Sequence, residues 1–181
     1  MNEISDEELY RRYCRGDTQA FELVYERYRQ SLYLFLLRSC NTRADAEELY
    51  QEVWSRIITT AKPFKQGSFK AYIFQIARNL KINRFRREHL RIVADEVDMT
   101  TVQDPGKTPD GLLHDLDCSE MLKRHLVSLP HEQSEVFLLK EEAGLTLEQI
   151  ATMISVGSRE TVKSRLRYAL RQLRKLMEEC L

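Results

Sequence analysis

The chain has few of the residue groupings that build catalytic or metal centres. Its 4 cysteines, Cys14, Cys40, Cys118 and Cys180, lie far apart, and no pair has the spacing of metal ligands. Its 4 histidines are equally scattered, and no glycine-rich loop of the phosphate-binding kind is present. We therefore expect a protein that is not an enzyme and that holds no metal and no cofactor.

Long apolar runs are also missing. The most apolar stretch, SLYLFLLRSC at residues 31–40, is far shorter than the roughly 20 residues that span a bilayer. The N-terminus, MNEISDEEL, is acidic and polar, unlike a signal peptide. No stretch alternates as a β-strand does. These absences predict a soluble, cytoplasmic, all-α protein without membrane insertion.

Charges are balanced in number but not in position. The 28 Lys and Arg equal the 28 Asp and Glu, yet residues 64–91 hold eight bases and one acid. Residues 95–120 hold eight acids and one base, and residues 158–175 hold seven bases and one acid. Two basic blocks separated by an acidic one indicate local patches for polyanions that the net charge conceals.

Capping residues and helical periodicity predict four helices in residues 1–93. The predicted N-caps are Ser5, Asp17, Thr42 and Ser68. Residues 94–112 are acidic, contain two prolines and lack periodicity, so we expect a flexible linker there. Residues 113–181 form a second helical unit, in which Gly144 is the predicted C-cap of one helix and Thr146 the N-cap of the next.

The second unit contains the pattern of a helix-turn-helix. A short helix after Thr146 is followed by a turn with Gly157 and a long basic helix that begins after Ser158. In this motif the first residues of the second helix meet base edges. An ordinary helical hairpin with a basic surface is the alternative. The predicted buried stripe of the last helix is Val162, Leu166, Ala169, Leu170 and Leu173.

The basic block at residues 64–91 also carries five aromatic residues. Cations bind phosphates, and aromatic rings stack on unpaired bases, so the block has the composition of a single-strand-binding helix. A solvated amphipathic helix is the alternative, in which Phe69 or Tyr72 belongs to the core.

Several segments together resemble a known family. AGLTLEQIATMISVGSRETVKSRLRYALRQLR and the preceding LPHEQSEVFLLKEEAGLT resemble the promoter-reading region four of bacterial sigma factors. DAEELYQEVWSRI resembles the core-binding part of region two, and GSFKAYIFQIARNLKINRFRR its promoter-melting part. The order and spacing are similar to the extracytoplasmic-function (ECF) group. The turn SVGSRETV is one residue longer than the common pattern, which leaves the first base-contacting residue open.

The resemblance implies three sets of site residues. Core RNA polymerase would be bound by Asp45, Glu48, Leu49, Gln51, Glu52 and Trp54, with burial as the alternative for Trp54. The minus-ten element would be bound by Gln66, Ser68, Phe69, Lys70, Tyr72, Arg78, Asn79, Lys81, Asn83, Arg84, Arg86 and Arg87. The minus-thirty-five element would be bound by Ser158, Arg159, Glu160, Thr161, Lys163, Ser164, Arg165 and Arg167.

The implied partners are the beta-prime coiled coil and beta flap of core RNA polymerase, promoter DNA and an anti-sigma factor, with a monomeric chain when these are absent. Two other interpretations stay open. The chain can be a stand-alone helix-turn-helix regulator whose N-terminal unit senses or dimerises, or a helical scaffold without a role on DNA.

Overall fold

The computed structural model describes residues 4–62, 67–94 and 113–176, and every regular element in these ranges is an α-helix. The prediction of an all-α chain is therefore confirmed. Gln66 and residues 95–112 of the predicted linker lie outside the described ranges. The helices are α1 Asp6–Tyr13, α2 Thr18–Ser39, α3 Arg43–Thr60, α4 Phe69–Ala94, α5 Leu113–Ser128, α6 His131–Glu141, α7 Leu147–Met153 and α8 Arg159–Leu176.

The helix ends follow the predicted capping chemistry. Each predicted N-cap side chain accepts a hydrogen bond from the backbone N–H three residues later, as Thr42 Oγ1 does from Asp45 at 3.1 Å. Thr146 and Gln149 form a complete capping box. Gly144 has a φ of 60°, the left-handed conformation that glycine favours after a helix.

Helices α1 to α4 enclose an aromatic core. Phe69 is 0% exposed, and its ring lies 4.8 Å from that of Tyr10, measured between centroids. Leu49 and Trp54 are also buried, at 2% and 6% exposure. These three side chains pack the core, and the alternative of burial holds for Trp54. Their contacts with DNA or polymerase, which the resemblance implied, stay predictions.

Helices α5 to α8 form the second core, around Val136, Leu139, Leu145 and Val162. The prediction that Leu170 is buried in α8 is wrong, because its side chain is 42% exposed. At ~100° per residue, Leu170 lies about 70° from the centre of the stripe formed by Val162, Leu166, Ala169 and Leu173, at its solvent edge.

The two helical units pack against each other through α2 and α4 on one side and α6 and α7 on the other. Arg38 of α2 forms an ion pair with Glu142, which follows α6. Arg78 of α4 pairs with Glu135 of α6, with 3.0 Å between Arg78 Nε and Glu135 Oε1. Part of the basic face of α4 is therefore covered by the second unit.

Candidate nucleic-acid and protein interfaces

Helix α3 presents a polar row to solvent. Gln51 and Glu48 are exposed, and Glu52 is half-buried beside Arg56, with 3.0 Å between Glu52 Oε1 and Arg56 Nη2. Asp45 lies in the first turn, where a carboxylate is favoured by the helix dipole. This row contains the four polar residues predicted to bind polymerase, and its apolar neighbours Leu49 and Trp54 point into the core.

The start of α4 is fixed by two side chains. Ser68 Oγ accepts from the N–H of Ala71 at 3.4 Å, and Glu7 Oε1 accepts from the N–H of Phe69 at 3.0 Å. Glu7 belongs to α1, and sequence reasoning missed it because 62 positions separate it from Phe69. Lys70 and Tyr72 are half-buried behind this turn. The first turn of α4 is thus held against α1 by a carboxylate.

One face of α4 remains open to a ligand. Asn79, Asn83, Arg86 and Arg87 are exposed and recur at intervals of three or four, so they share a side of the helix. Asn79 Oδ1 accepts from Gln75 Nε2 at 2.8 Å, and the amide nitrogen of Asn79 can still donate. Two amides beside two guanidinium groups can contact base edges and phosphates together.

Three other predicted minus-ten residues have protein partners. Lys81 is 4% exposed between the two units, where burial lowers its pKa while Glu135 acts in the opposite direction. Arg78 pairs with the same Glu135, and Arg84 pairs with Asp45 and Glu48 of α3. Carboxylates distant in sequence thus neutralise Arg78, Lys81 and Arg84, and their contact with the minus-ten element stays a prediction.

The helix-turn-helix is formed by α7 and α8, joined by residues 154–158. Ser158 Oγ accepts from the N–H of Thr161 at 3.2 Å, so this predicted contact residue is also the cap of α8. Arg159 Nε lies 3.0 Å from Glu148 Oε1 on the surface of α7. The remaining predicted residues that are exposed at the start of α8 are Glu160, Lys163, Ser164 and Arg167.

Arg165 faces a different direction from its neighbours. Its Nη2 atom lies 2.5 Å from Glu132 Oε2 of α6, and its side chain is only 22% exposed. Thr161 is half-buried, and its hydroxyl lies 3.1 Å from that of Ser158. The open surface of the helix-turn-helix is thus smaller than predicted and is centred on Lys163 and Arg167.

Other kinds of site are not found within the described ranges. No group of three His, Cys, Asp or Glu side chains there could hold a metal ion. None of the helices described is long and apolar enough to cross a membrane. Cys14 is half-buried and Cys40 is buried, and burial raises the pKa of the Cys40 thiol.

Comparison with protein families gives two matches in the same chain. Residues 24–91 match the family model for sigma-70 region 2, and residues 125–175 match the model for sigma-70 region 4. The first match covers α3 and nearly all of α4, and the second covers the helix-turn-helix. The polar row of α3 and the open face of α4 therefore lie in the first matched region, and the open surface of the helix-turn-helix lies in the second.

Individual proteins give the same result. The chain is 31% identical over 163 residues to the ECF RNA polymerase sigma factor SigL of Mycobacterium tuberculosis, covering 86% of this chain and 88% of SigL. It is 28% identical over 165 residues to the ECF RNA polymerase sigma factor SigE of Mycolicibacterium smegmatis, covering 88% of this chain but 63% of SigE. A solved structure of the sigma factor RpoE in complex with the anti-sigma factor NepR from Bartonella quintana shares the fold, with a TM-score of 0.69, 22% identity and coverage of 87% of this chain and 96% of RpoE.

Proposed function

Because the chain belongs to the ECF group of the sigma-70 family, we propose that it directs core RNA polymerase to promoters and starts transcription there. In this function the protein is a specificity subunit and has no enzymatic activity of its own. The observation that carries the proposal is the pair of separate open surfaces, the amide and guanidinium face of α4 and the start of α8, one in each matched region.

The face of α4 suits the non-template strand of the minus-ten element. Asn79 and Asn83 have amides that both donate and accept, and Arg86 and Arg87 can neutralise phosphates. The turn at Ser68, held by Glu7, precedes this face and is where a base flipped from the stack would be received. Lys163 and Arg167 of α8 would bind the duplex of the minus-thirty-five element.

The polar row of α3 suits a protein partner. Glu48 and Gln51 are exposed, and Asp45 and Glu52 are held in ion pairs beside them. We assign this row to the beta-prime coiled coil of polymerase and the second helical unit to the beta flap. The RpoE structure contains the anti-sigma factor NepR. An anti-sigma factor is accordingly the regulatory partner proposed for this chain.

Reconstituted transcription tests the function directly. The purified chain is mixed with bacterial core RNA polymerase and a random promoter library, and the transcripts are sequenced. We expect initiation from a two-block motif that depends on the added chain. A matched variant, Asn79→Ala with Asn83→Ala, should keep core binding and lose initiation. Duplex binding without any association with polymerase would instead indicate a stand-alone regulator.

A further inference from the structure

We propose that Arg84 is a positioning residue of the polymerase-binding row on α3 and does not contact promoter DNA, although it lies on the DNA-binding helix. The inference rests on the proposed function, because it concerns how α3 meets core polymerase. It links the two functional helices of the first unit through one side chain.

The guanidinium of Arg84 is surrounded by carboxylates from two helices. Its Nη2 atom lies 2.6 Å from Asp45 Oδ1, its Nη1 atom 2.7 Å from Glu48 Oε2, and its Nε atom 3.3 Å from Glu88 Oε1. Every nitrogen of the fork therefore has a carboxylate within reach. A planar group with donors in fixed directions can engage several carboxylates at once, which a lysine ammonium cannot do with the same geometry.

This surrounding charge argues against a phosphate contact. Three carboxylates around one guanidinium leave the cluster with an excess of negative charge, which would repel a DNA backbone. The cluster borders a groove of about 270 Å³ between α3 and α4 whose lining also includes Glu52, Arg56 and Arg87. Arg86, which follows on α4, is exposed and does not belong to the lining of this groove.

The same cluster orders the acids of α3. Asp45 is held through one oxygen by Arg84 and through the other by the hydroxyl of Thr42, at 2.5 Å. Glu48 is 66% exposed, and its ion pair with Arg84 restrains a side chain that would otherwise rotate freely. A surface that is ordered before binding loses less conformational entropy when the partner docks. Arg84 thus presents Glu48 and Asp45 to polymerase in one arrangement.

The test compares affinity for core RNA polymerase with binding to a single-stranded oligonucleotide at several salt concentrations, using the full chain. Arg84→Gln should weaken core binding about tenfold, because one or two side chains would then have to be ordered when the partner docks. It should leave the salt slope of oligonucleotide binding unchanged. Arg84→Lys should lose part of the core affinity, since it keeps the charge but not the fork. Arg86→Gln is the matched control: it should lower the salt slope by about 0.7 and keep core affinity.

A double-mutant cycle separates positioning from simple loss of stability. If Arg84 acts through Glu48, the double variant Arg84→Gln with Glu48→Gln should bind core no more weakly than the weaker single variant. A misfolded variant would lose core and oligonucleotide binding together, and that result would overturn the inference. Additive losses in the cycle, or a salt slope for Arg84→Gln that falls as it does in Arg86→Gln, would overturn it too. If Arg84→Gln kept the core affinity of the wild type, the positioning role of Arg84 would be refuted but the proposed function would stand. If the wild-type chain itself failed to bind core, the proposed function would be refuted as well.

Discussion

Replacing Glu135 with alanine is expected to separate the two helical units while each unit stays folded. Glu135 is 6% exposed, and its two oxygens lie 3.0 and 3.4 Å from Nε and Nη2 of Arg78. Lys81, at 4% exposure, is buried next to the same carboxylate. The variant would leave the buried Lys81 and the half-buried Arg78 without this counter-charge.

The size of the effect follows from the burial. Removing one partner of a buried ion pair costs about 3–5 kcal/mol, because the remaining charge keeps its desolvation penalty. Here the penalty can be relieved without unfolding, since moving α6 away from α4 returns Arg78 and Lys81 to water. The equilibrium between packed and separated units should then shift by a factor of about 100 or more. The ion pair of Arg38 with Glu142 opposes the shift.

Small-angle X-ray scattering measures this change as an increase in the radius of gyration, and thermal unfolding checks that the helices remain. Glu141→Ala is the matched control, because Glu141 is exposed on the same helix. The reasoning would be refuted if Glu135→Ala and Glu141→Ala gave the same scattering profile and the same unfolding temperature. A lowered unfolding temperature with unchanged scattering would show that water reaches the cations without separation of the units.

Three further predictions concern single side chains. Lys81→Met should raise the free energy of unfolding by about 1 kcal/mol, because the desolvation penalty of Lys81 is removed while Glu135 keeps Arg78 as its partner. Burial lowers the pKa of Lys81 in the folded state below its ordinary value of 10.5, so the unfolded chain binds that proton more readily. The difference in the free energy of unfolding between Lys81→Met and the wild type, measured by urea unfolding, should therefore shrink as pH rises toward 10.5. Asn79→Ala should reduce promoter opening, measured by permanganate reactivity of unpaired thymines, more than core binding; equal losses would indicate misfolding. Lys163→Ala should weaken duplex binding for all sequences and lower the salt slope by about 0.9.

The features that the sequence predicts correctly are local ones. An N-cap such as Ser158 binds a backbone N–H three residues away, and Gly144 takes its conformation within one turn of α6. Periodicity identifies the apolar side of each helix because the pattern repeats along a single element. It fails at the edge of a stripe, as at Leu170, where the neighbouring helix decides how far burial extends.

The features that the sequence does not predict depend on distant partners. A basic residue on a helix gives no sign of whether a phosphate or a carboxylate will neutralise it. Arg78 meets Glu135 across 57 positions, and Arg38 meets Glu142 across 104. Phe69 has the residue type of a stacking platform, yet its place beside Tyr10 makes it part of the core. In each instance the residue type is compatible with two environments, and only the packing of other helices selects one.

The packing of the two units also determines which part of α4 a nucleic acid can reach first. Asn79, Arg86 and Arg87 are accessible while the units are packed, whereas Arg78 and Lys81 are not. If a single strand needs only the accessible face, its affinity should be the same for the wild type and for Glu135→Ala. If it also needs the covered cations, only chains with separated units can bind fully, and the wild-type affinity is lowered in proportion to the fraction of such chains. Glu135→Ala should then bind more tightly, by up to the factor by which that fraction rises. Oligonucleotide titrations of the two proteins at one salt concentration therefore determine whether separation of the units is coupled to DNA binding.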